Sequence, residues 1–374
     1  MSAIYLKSNE ALAEIAQHWL TLERIALDSE FMRVDTFYPI LALIQINDGD
    51  KTYLIDPLCI NEWQPLIDVF SAPSLLKILH SPSEDFDVFF HNLGVVPRPI
   101  FDTQLAASMA SLGGIMGYQK LVKNLLDIDV DKGETRSDWI KRPLTDSQLH
   151  YAAEDVNHLF EMTDLLTEKL TKLNRLTWFQ EDCTSMLDDW LEAQQHGYSH
   201  QRVKKAWSLK GHQLNVLAQL VTWREQHCKA VNKPRGHIVK DDLLMEMATR
   251  LPQSMSQLSQ IKGLRPATLK KEGQTMINIV QSCKDMDKAQ WPTPLDRPLS
   301  QAAGDWFKKM RALINSRAEE LDVPPELLAR KKPMEKLLRQ AYAGQTMKIP
   351  ESWQGWRDTI VAQPLVQLLN KLSS

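Results

Sequence analysis

Two acidic residues stand two apart in an otherwise apolar stretch: Asp28 and Glu30, in the run IALDSEF at 25–31. Alternate residues of a strand face the same way, so a strand here carries both carboxylates on one face. Anions that close repel each other and lose hydration when partly buried, and a divalent cation relieves both costs. Hard ions such as Mg²⁺ take carboxylate oxygens and keep water or phosphate ligands besides. A lone D-x-E is more simply two solvated acids on an exposed edge, so other residues have to decide. Asp85, in the run SEDFDVF at 83–89, opens a helical pattern just after a strand pattern. It either turns toward the sheet or only favours the helix dipole. Tyr151 and Asp155 stand four apart and share a helix face, while Glu154, beside Asp155, must point elsewhere.

The elements that must hold these residues are legible in outline. Short apolar stretches at 25–31, 41–46, 52–55 and 74–80 read as strands. Helical spacing follows at 85–93, 103–111 and 118–126, then in one long helix from Thr145 or Asp146, either a suitable cap, to about residue 173. Alternating strands and helices imply an α/β domain. Beyond residue 175 only helical patterns remain, in one block at about 207–283 and another from about 300 to the end. A proline-rich stretch, WPTPLDRP at 291–298, separates them as a linker. Their similar lengths suggest a diverged duplication.

At 374 residues the chain is long enough for two or three domains. With 43% hydrophobic and 24% charged residues it reads as an ordinary globular protein. No run approaches the 18 or so apolar residues of a membrane span, and the first ten residues lack a signal core, so the cytoplasm is the expected location. Cys59, Cys183, Cys228 and Cys283 are far apart, without the spacing of a structural zinc site. The net charge of −3 conceals a division. Residues 1–200 hold 15 Lys+Arg against 31 Asp+Glu, a net −16, and residues 201–374 hold 29 against 16, a net +13. The basic part either holds a polyanion or simply attracts the acidic part.

D-x-E, a later Asp and Y-x₃-D together resemble the DEDD exonucleases in their tyrosine variant, and the chain resembles the ribonuclease D family along its whole length. The runs DSEFMR at 28–33, TFYP at 36–39, LIQ at 43–45 and LIDP at 54–57 look like that family's first region. HSPSED at 80–85 looks like its second. TRSDW at 135–139, RPL at 142–144, Gln148 and YAAED at 151–155 look like its third. Runs around Trp223, NKPRG at 232–236 and LSQIKG at 258–263 resemble the HRDC module, although His227 and Cys228 interrupt its usual pattern. The last block, with Trp306, LLARKK at 327–332 and WQGWR at 353–357, resembles a second HRDC-like copy more loosely.

The resemblance implies an α/β RNase H-like exonuclease domain with a mixed central sheet at 1–175, followed by all-α HRDC-like domains at 205–285 and 296–374. It implies a 3′→5′ exoribonuclease that releases nucleoside 5′-monophosphates one at a time from RNA with a free 3′ end, with tRNA precursors as the suggested substrates; a monomer is the expected state, which neither motif nor composition decides. Asp28, Glu30, Asp85 and Asp155 would hold two divalent ions, Mg²⁺ or Mn²⁺, about 3.5–4 Å apart, and Tyr151 would orient the attacking water. Lys229, Lys233, Arg235 and Lys240 are the candidate phosphate contacts, by charge and loop position. The basic cluster Arg330, Lys331 and Lys332 either contacts RNA or caps a helix C-terminus. A DNA 3′→5′ exonuclease and a catalytically inactive RNA-binding protein stand as alternatives, because both nucleic acids present the same phosphodiester.

Overall fold

The structure is a computed structural model and describes residues 3–131, 133–134 and 137–373. The chain divides into two compact units. One comprises Met1–Met32, Pro39–Trp190 and Leu299–Ser374, the other Arg33–Tyr38 and Leu191–Pro298.

The first unit is built on six strands: β1 (Ile4–Leu6), β2 (Arg24–Met32), β3 (Ile40–Asn47), β4 (Thr52–Ile55), β5 (Leu76–Leu79) and β6 (Ile100–Asp102). Their order is β1-β4-β3-β2-β5-β6. The pairs β2–β3 and β3–β4 are antiparallel, and β1–β4, β2–β5 and β5–β6 are parallel, which makes the sheet mixed. A bulge between Glu30 and Phe31 shifts the β2–β3 register.

Its helices are α1 (Asn9–Trp19), α2 (Gln64–Ser71), α3 (Ser83–Leu93), α4 (Thr103–Met109), α5 (Tyr118–Leu126), α6 (Asp146–Asn157), α7 (Leu159–Lys172) and α8 (Leu176–His196), the last of which continues into the second unit. The expected strands and the helices α3, α4 and α5 are present. The single helix expected from 145 to 173 is instead two, divided at His158. At that break stands Asn157, the last residue of α6, whose side chain is hydrogen-bonded. Its amide donates to Glu154 at 2.9 Å, and its carbonyl oxygen accepts from Thr52 on β4 at 2.6 Å. Thr145 is the cap of α6: its hydroxyl accepts from the Gln148 amide, and Gln148 Oε1 accepts from the Thr145 amide, a reciprocal capping box.

One ion pair ties the segment before α6 to the sheet. Arg142 Nε and Nη2 each donate to the Asp56 carboxylate at 2.7 Å, Nη2 also bonds the Ala42 carbonyl on β3, and Tyr5 on β1 donates to Asp56 at 2.6 Å. Beside it, Trp139 and Leu144 pack with Ala42, Leu43, Leu54 and Ala152. Thr135 and Arg136 of the third family-like run lie outside the described residues.

The second unit is all helical. It contains the end of α8, α9 (His212–Ala230), α10 (Arg235–Ile238), α11 (Asp241–Arg250), α12 (Met255–Ser259) and α13 (Pro266–Ser282), around a core that includes Leu217, Leu220, Leu244, Met247 and Ile277. The segment Arg33–Tyr38 belongs to it. The Phe37 and Tyr38 amides donate to Asn232 Oδ1 at 2.9 and 3.1 Å, and the Arg235 guanidinium lies over the Phe37 ring.

The C-terminal helices α14 (Gln301–Leu321), α15 (Pro325–Leu328), α16 (Lys331–Tyr342) and α17 (Gln363–Ser373) return to the first unit. Trp356 stacks on Trp178 of α8 with the ring planes 6° apart, and its Nε1 donates to Asp182 at 3.0 Å. Arg357 forks onto the same Asp182 carboxylate and onto the Leu327 carbonyl. Arg330, Lys331 and Lys332 lie where two helices meet: they follow the C-cap of α15, Ala329, and start α16. All four cysteines are free thiols. Among the described residues no helix is long and apolar enough to cross a membrane.

Removing Arg142 strands a buried carboxylate. Arg142→Ala should lower the unfolding free energy by about 3–5 kcal/mol at pH 7. Burial pushes the Asp56 carboxyl up, but hydrogen bonds from Arg142, Tyr5 and the Leu58 amide hold it below its ordinary value. A depressed folded-state pKa stabilises above the unfolded value, about 3.9, and that stabilisation is lost as pH falls through the folded value. Urea unfolding should therefore show the gap between wild type and variant intact at pH 7 and narrowing below about pH 4. A gap that stayed constant on acidification would leave packing as the sole role of Arg142.

Candidate active site

The strand β2 reaches farther than its parallel neighbour. Its pairing with β5 covers only Arg24, Ile25 and Ala26, after which β2 is bonded to β3 alone. Asp28 and Glu30 lie on this extension, past the end of β5. Ligand sites in open α/β sheets form at this end of parallel strands. The chain leaves β5 and enters α3 within four residues, which puts Asp85 in the first turn of that helix, buried. On the other side α6 packs across β2, β3 and β4 and brings Tyr151 and Asp155 to the acids.

Carboxylate oxygens of Asp28, Glu30 and Asp155 lie within 4.8 Å of one another, all three partly buried. Asp85 flanks this group without joining it and accepts a hydrogen bond from Ser29 Oγ. The Tyr151 hydroxyl bonds Asp155, as their i, i+4 relation allows. Glu154 faces away, held by Asn157 and, at 3.3 Å, by His158.

Every acid of the group is harder to ionise than usual. Burial, then the charges of Asp85, Asp155 and Glu30, raise Asp28 well above the ordinary carboxylate range. Burial and the charges of Asp155 and Asp85 push Glu30 up to about 9. Burial lifts Asp155 to about 7 against the Tyr151 hydrogen bond, and Asp85 to about 6 against that from Ser29. A clustered, dehydrated, all-oxygen donor set of this kind fits a hard divalent cation, whose charge replaces the repulsion with attraction.

Three supporting residues carried no signal strong enough to single them out. Ser29 lies between the two acids, on the strand position that alternation assigns to the opposite face, yet it bonds Asp85. Gln45, directly across from Asp28 on β3, is fully buried, and neither amide atom has a hydrogen-bond partner among the described residues. The Tyr118 hydroxyl on α5 donates to the Glu154 carbonyl, which fixes the backbone next to Asp155. Burial raises its pKa, as does the nearby Asp155 charge.

In the second unit Lys229, Lys233 and Lys240 are exposed, and none has an ion-pair partner among the described residues. Arg235 is differently placed. Its Nε and Nη2 bond Glu225 at 2.7 and 2.6 Å, and its guanidinium lies over Tyr198 as well as Phe37, so part of its donor set is used within the unit.

Known proteins resemble this chain along nearly its whole length. Residues 3–171 match a family model described as 3′-5′ exonuclease, 213–280 match the HRDC domain, and 304–365 match the ribonuclease D C-terminal HRDC domain. A ribonuclease D from Pseudomonas paraeruginosa is 38% identical over 365 residues, covering 98% of this chain and 97% of that one. The Escherichia coli K12 ribonuclease D is 31% identical, with 98% of each chain covered. The crystal structure of Escherichia coli RNase D, described as an exoribonuclease involved in structured RNA processing, superposes with a TM-score of 0.91 at 30% identity over 99% of both chains. With family models matching its exonuclease domain and both helical modules, and a ribonuclease D 38% identical over 98% of its length, this chain belongs to the ribonuclease D family.

Proposed function

We propose that this chain is a 3′→5′ exoribonuclease that hydrolyses RNA with the aid of two divalent ions, Mg²⁺ or Mn²⁺, and releases nucleoside 5′-monophosphates. The observation that carries the proposal is the convergence of Asp28, Glu30 and Asp155 within 4.8 Å, with Asp85 and Tyr151 beside them, in a chain of this family. RNA with a free 3′ end is the substrate, precursor tRNA ends are the class that the family resemblance suggests, and the acting form is the monomer.

Asp28, Glu30 and Asp155 form one ligand group, and Asp85, next to Asp28, adds the carboxylate for a second ion. When bound, the ions supply the positive charge that makes a water nucleophilic and stabilises the departing 3′ oxygen. Tyr151 has two partners available to its hydroxyl in turn: the Asp155 carboxylate in the free protein, and the attacking water once that carboxylate is engaged. Its ordinary pKa near 10 suits it to hold and orient the water rather than to strip its proton. Lys229, Lys233 and Lys240 contact phosphates upstream of the scissile bond, and the basic character of residues 201–374 draws the polyanion in.

The direct test digests matched RNA and DNA oligonucleotides with and without Mg²⁺ or Mn²⁺. Stepwise release of 5′-monophosphates from RNA 3′ ends is expected, and it should stop on chelation. Preferential digestion of DNA would replace the ribonuclease assignment with a DNA exonuclease, and no digestion of either would leave a binding protein.

Asp28→Asn removes a ligand and no phosphate-binding cation. Hydrolysis should be abolished while RNA affinity stays within a few-fold, and turnover above a tenth of wild type would refute the role of Asp28. Tyr151→Phe should fold normally and slow the single-turnover chemical step by on the order of 10²-fold, the scale of losing a positioned orienting group. Cleavage at the normal rate would reduce Tyr151 to a packing residue.

Metal binding can also be read without activity. A ligand present at 100 times its Kd stabilises the fold by about 2.7 kcal/mol. Wild type should therefore melt several degrees higher in saturating Mn²⁺ than in chelator, and an Asp28→Asn/Asp155→Asn double variant should show no such difference. An equal gain in both would place the metal elsewhere.

A further inference from the structure

The C-terminal helices enclose a cavity of about 250 Å³ between α14, α15 and the start of α16. Its floor is apolar, formed by the buried side chains of Ile314, Ala329 and Met334. Phe307 is partly exposed at its wall. Arg311 and Arg330 stand exposed at the rim, and neither guanidinium has a hydrogen-bond or ion-pair partner among the described residues. This contrasts with nearby cations of the same helices. Lys308 is paired with Asp305, Arg317 with Glu320, and Lys331, also at the rim, with Glu335.

The start of α16 sharpens the charge imbalance. Arg330 is its N-cap residue, Lys331 and Lys332 follow, no side chain caps it, and no acid lies in its first turn. Cations at the positive end of a helix dipole oppose it, so three together leave a local excess of positive potential. Only one lining side chain, Glu326, carries negative charge.

We propose that this cavity binds one nucleotide of single-stranded RNA, with the base over the apolar floor against Phe307 and the flanking phosphates on Arg311 and Arg330. The volume lies just under the range of about 300–1,000 Å³ usual for drug-sized ligands, which suits a single base. An aromatic wall with free arginines at its rim is the combination that holds unpaired strands without sequence preference. The site would retain the 5′ portion of a substrate whose 3′ end is being degraded. This inference rests on the exoribonuclease reading.

The test uses the full-length protein and a 12-nucleotide oligoribonucleotide, with equilibrium binding measured across a salt series in Ca²⁺. Two variants divide the contributions. Arg311→Gln/Arg330→Gln removes the cations and leaves the cavity, and Asn315→Trp fills the cavity from its exposed rim and leaves the cations. Thermal midpoints within about two degrees of wild type identify variants that have folded, and Asn315→Phe stands in should the Trp variant fail to fold. Each variant should bind on the order of ten-fold more weakly, the scale of one lost base stack or two lost phosphate contacts. The slope of log K against log salt should become shallower by about 1.4 in the arginine variant, at 0.7 per phosphate, and stay unchanged in the filled one. Wild-type affinity in both variants overturns the site and points to an acidic protein as the occupant. Weakening in the arginine variant alone also overturns it, leaving surface attraction with no base in the cavity. If wild-type protein digests no RNA, it is the exoribonuclease reading that fails.

Discussion

The structure depends on holding four acidic groups together where water is scarce, so that each resists the ionisation of the others. Asp28, Glu30, Asp85 and Asp155 come from one strand and two helices widely separated in sequence, and each would lower its own free energy by moving into solvent. Hydrogen bonds from Ser29, from the Asp85 backbone and from Tyr151 oppose this only in part. The geometry must therefore be imposed from outside, by backbone pairing and packing strong enough to tolerate the repulsion. A rigid frame of this kind keeps the ligands in place before an ion arrives, so little ordering remains for the ion to drive.

The imposing parts are identifiable. Asp28 and Glu30 are fixed by the ladder with β3, and Asp85 by the short turn from β5 into α3. For Asp155 the frame is more elaborate. Arg142 and Asp56 pin the preceding segment to the sheet, the Thr145–Gln148 box sets where α6 begins, and Asn157 ends it against Thr52. Between them, Tyr118 on α5 donates to the Glu154 carbonyl. A helix held at its start, side and end has no freedom to rotate, and a rotation of one residue, about 100°, would exchange Asp155 for Glu154 at the site.

How much of this was legible in the sequence follows from how local each signal is. The two periodicities exposed the acids: period two for Asp28 and Glu30, and i, i+4 for Tyr151 and Asp155. The four strands that stood out, β2 to β5, are apolar stretches long enough to show a pattern. The flanking β1 and β6 have three residues each, too few to carry one, and α1, α2 and α8 went unread among mixed surface positions. The break at His158 is hidden because helical spacing continues across it, and the bond that anchors the end of α6, from Thr52 to the Asn157 side chain, comes from a strand about a hundred residues earlier. The same remoteness explains the C-terminal helices. The run WQGWR is conspicuous in sequence, but its role depends on Trp178 and Asp182, some 175 residues away, and no local pattern connects them. Arg235 was chosen by charge and loop position, neither of which reveals that Glu225 occupies it.

The bulge after Glu30 has a consequence for how this hairpin can vary among relatives. A strand offers two faces, and a slip of one residue would put Leu27 and Ser29 where Asp28 and Glu30 stand. Up to Glu30 the ladder is regular, with Asp28 opposite Gln45 and Glu30 opposite Leu43; from Phe31 on the pairing is displaced by one. The irregularity thus sits immediately outside the phase-sensitive part and separates it from the Arg33–Tyr38 segment, which joins the other unit. Changes of length beyond the bulge are absorbed there as slack and do not rephase the acids, whereas a single insertion or deletion between Ile25 and Glu30 inverts them. The six residues before the segment that leads to the helical unit therefore carry the constraint of phase, whereas that segment is constrained by its own contacts with Asn232 and Arg235.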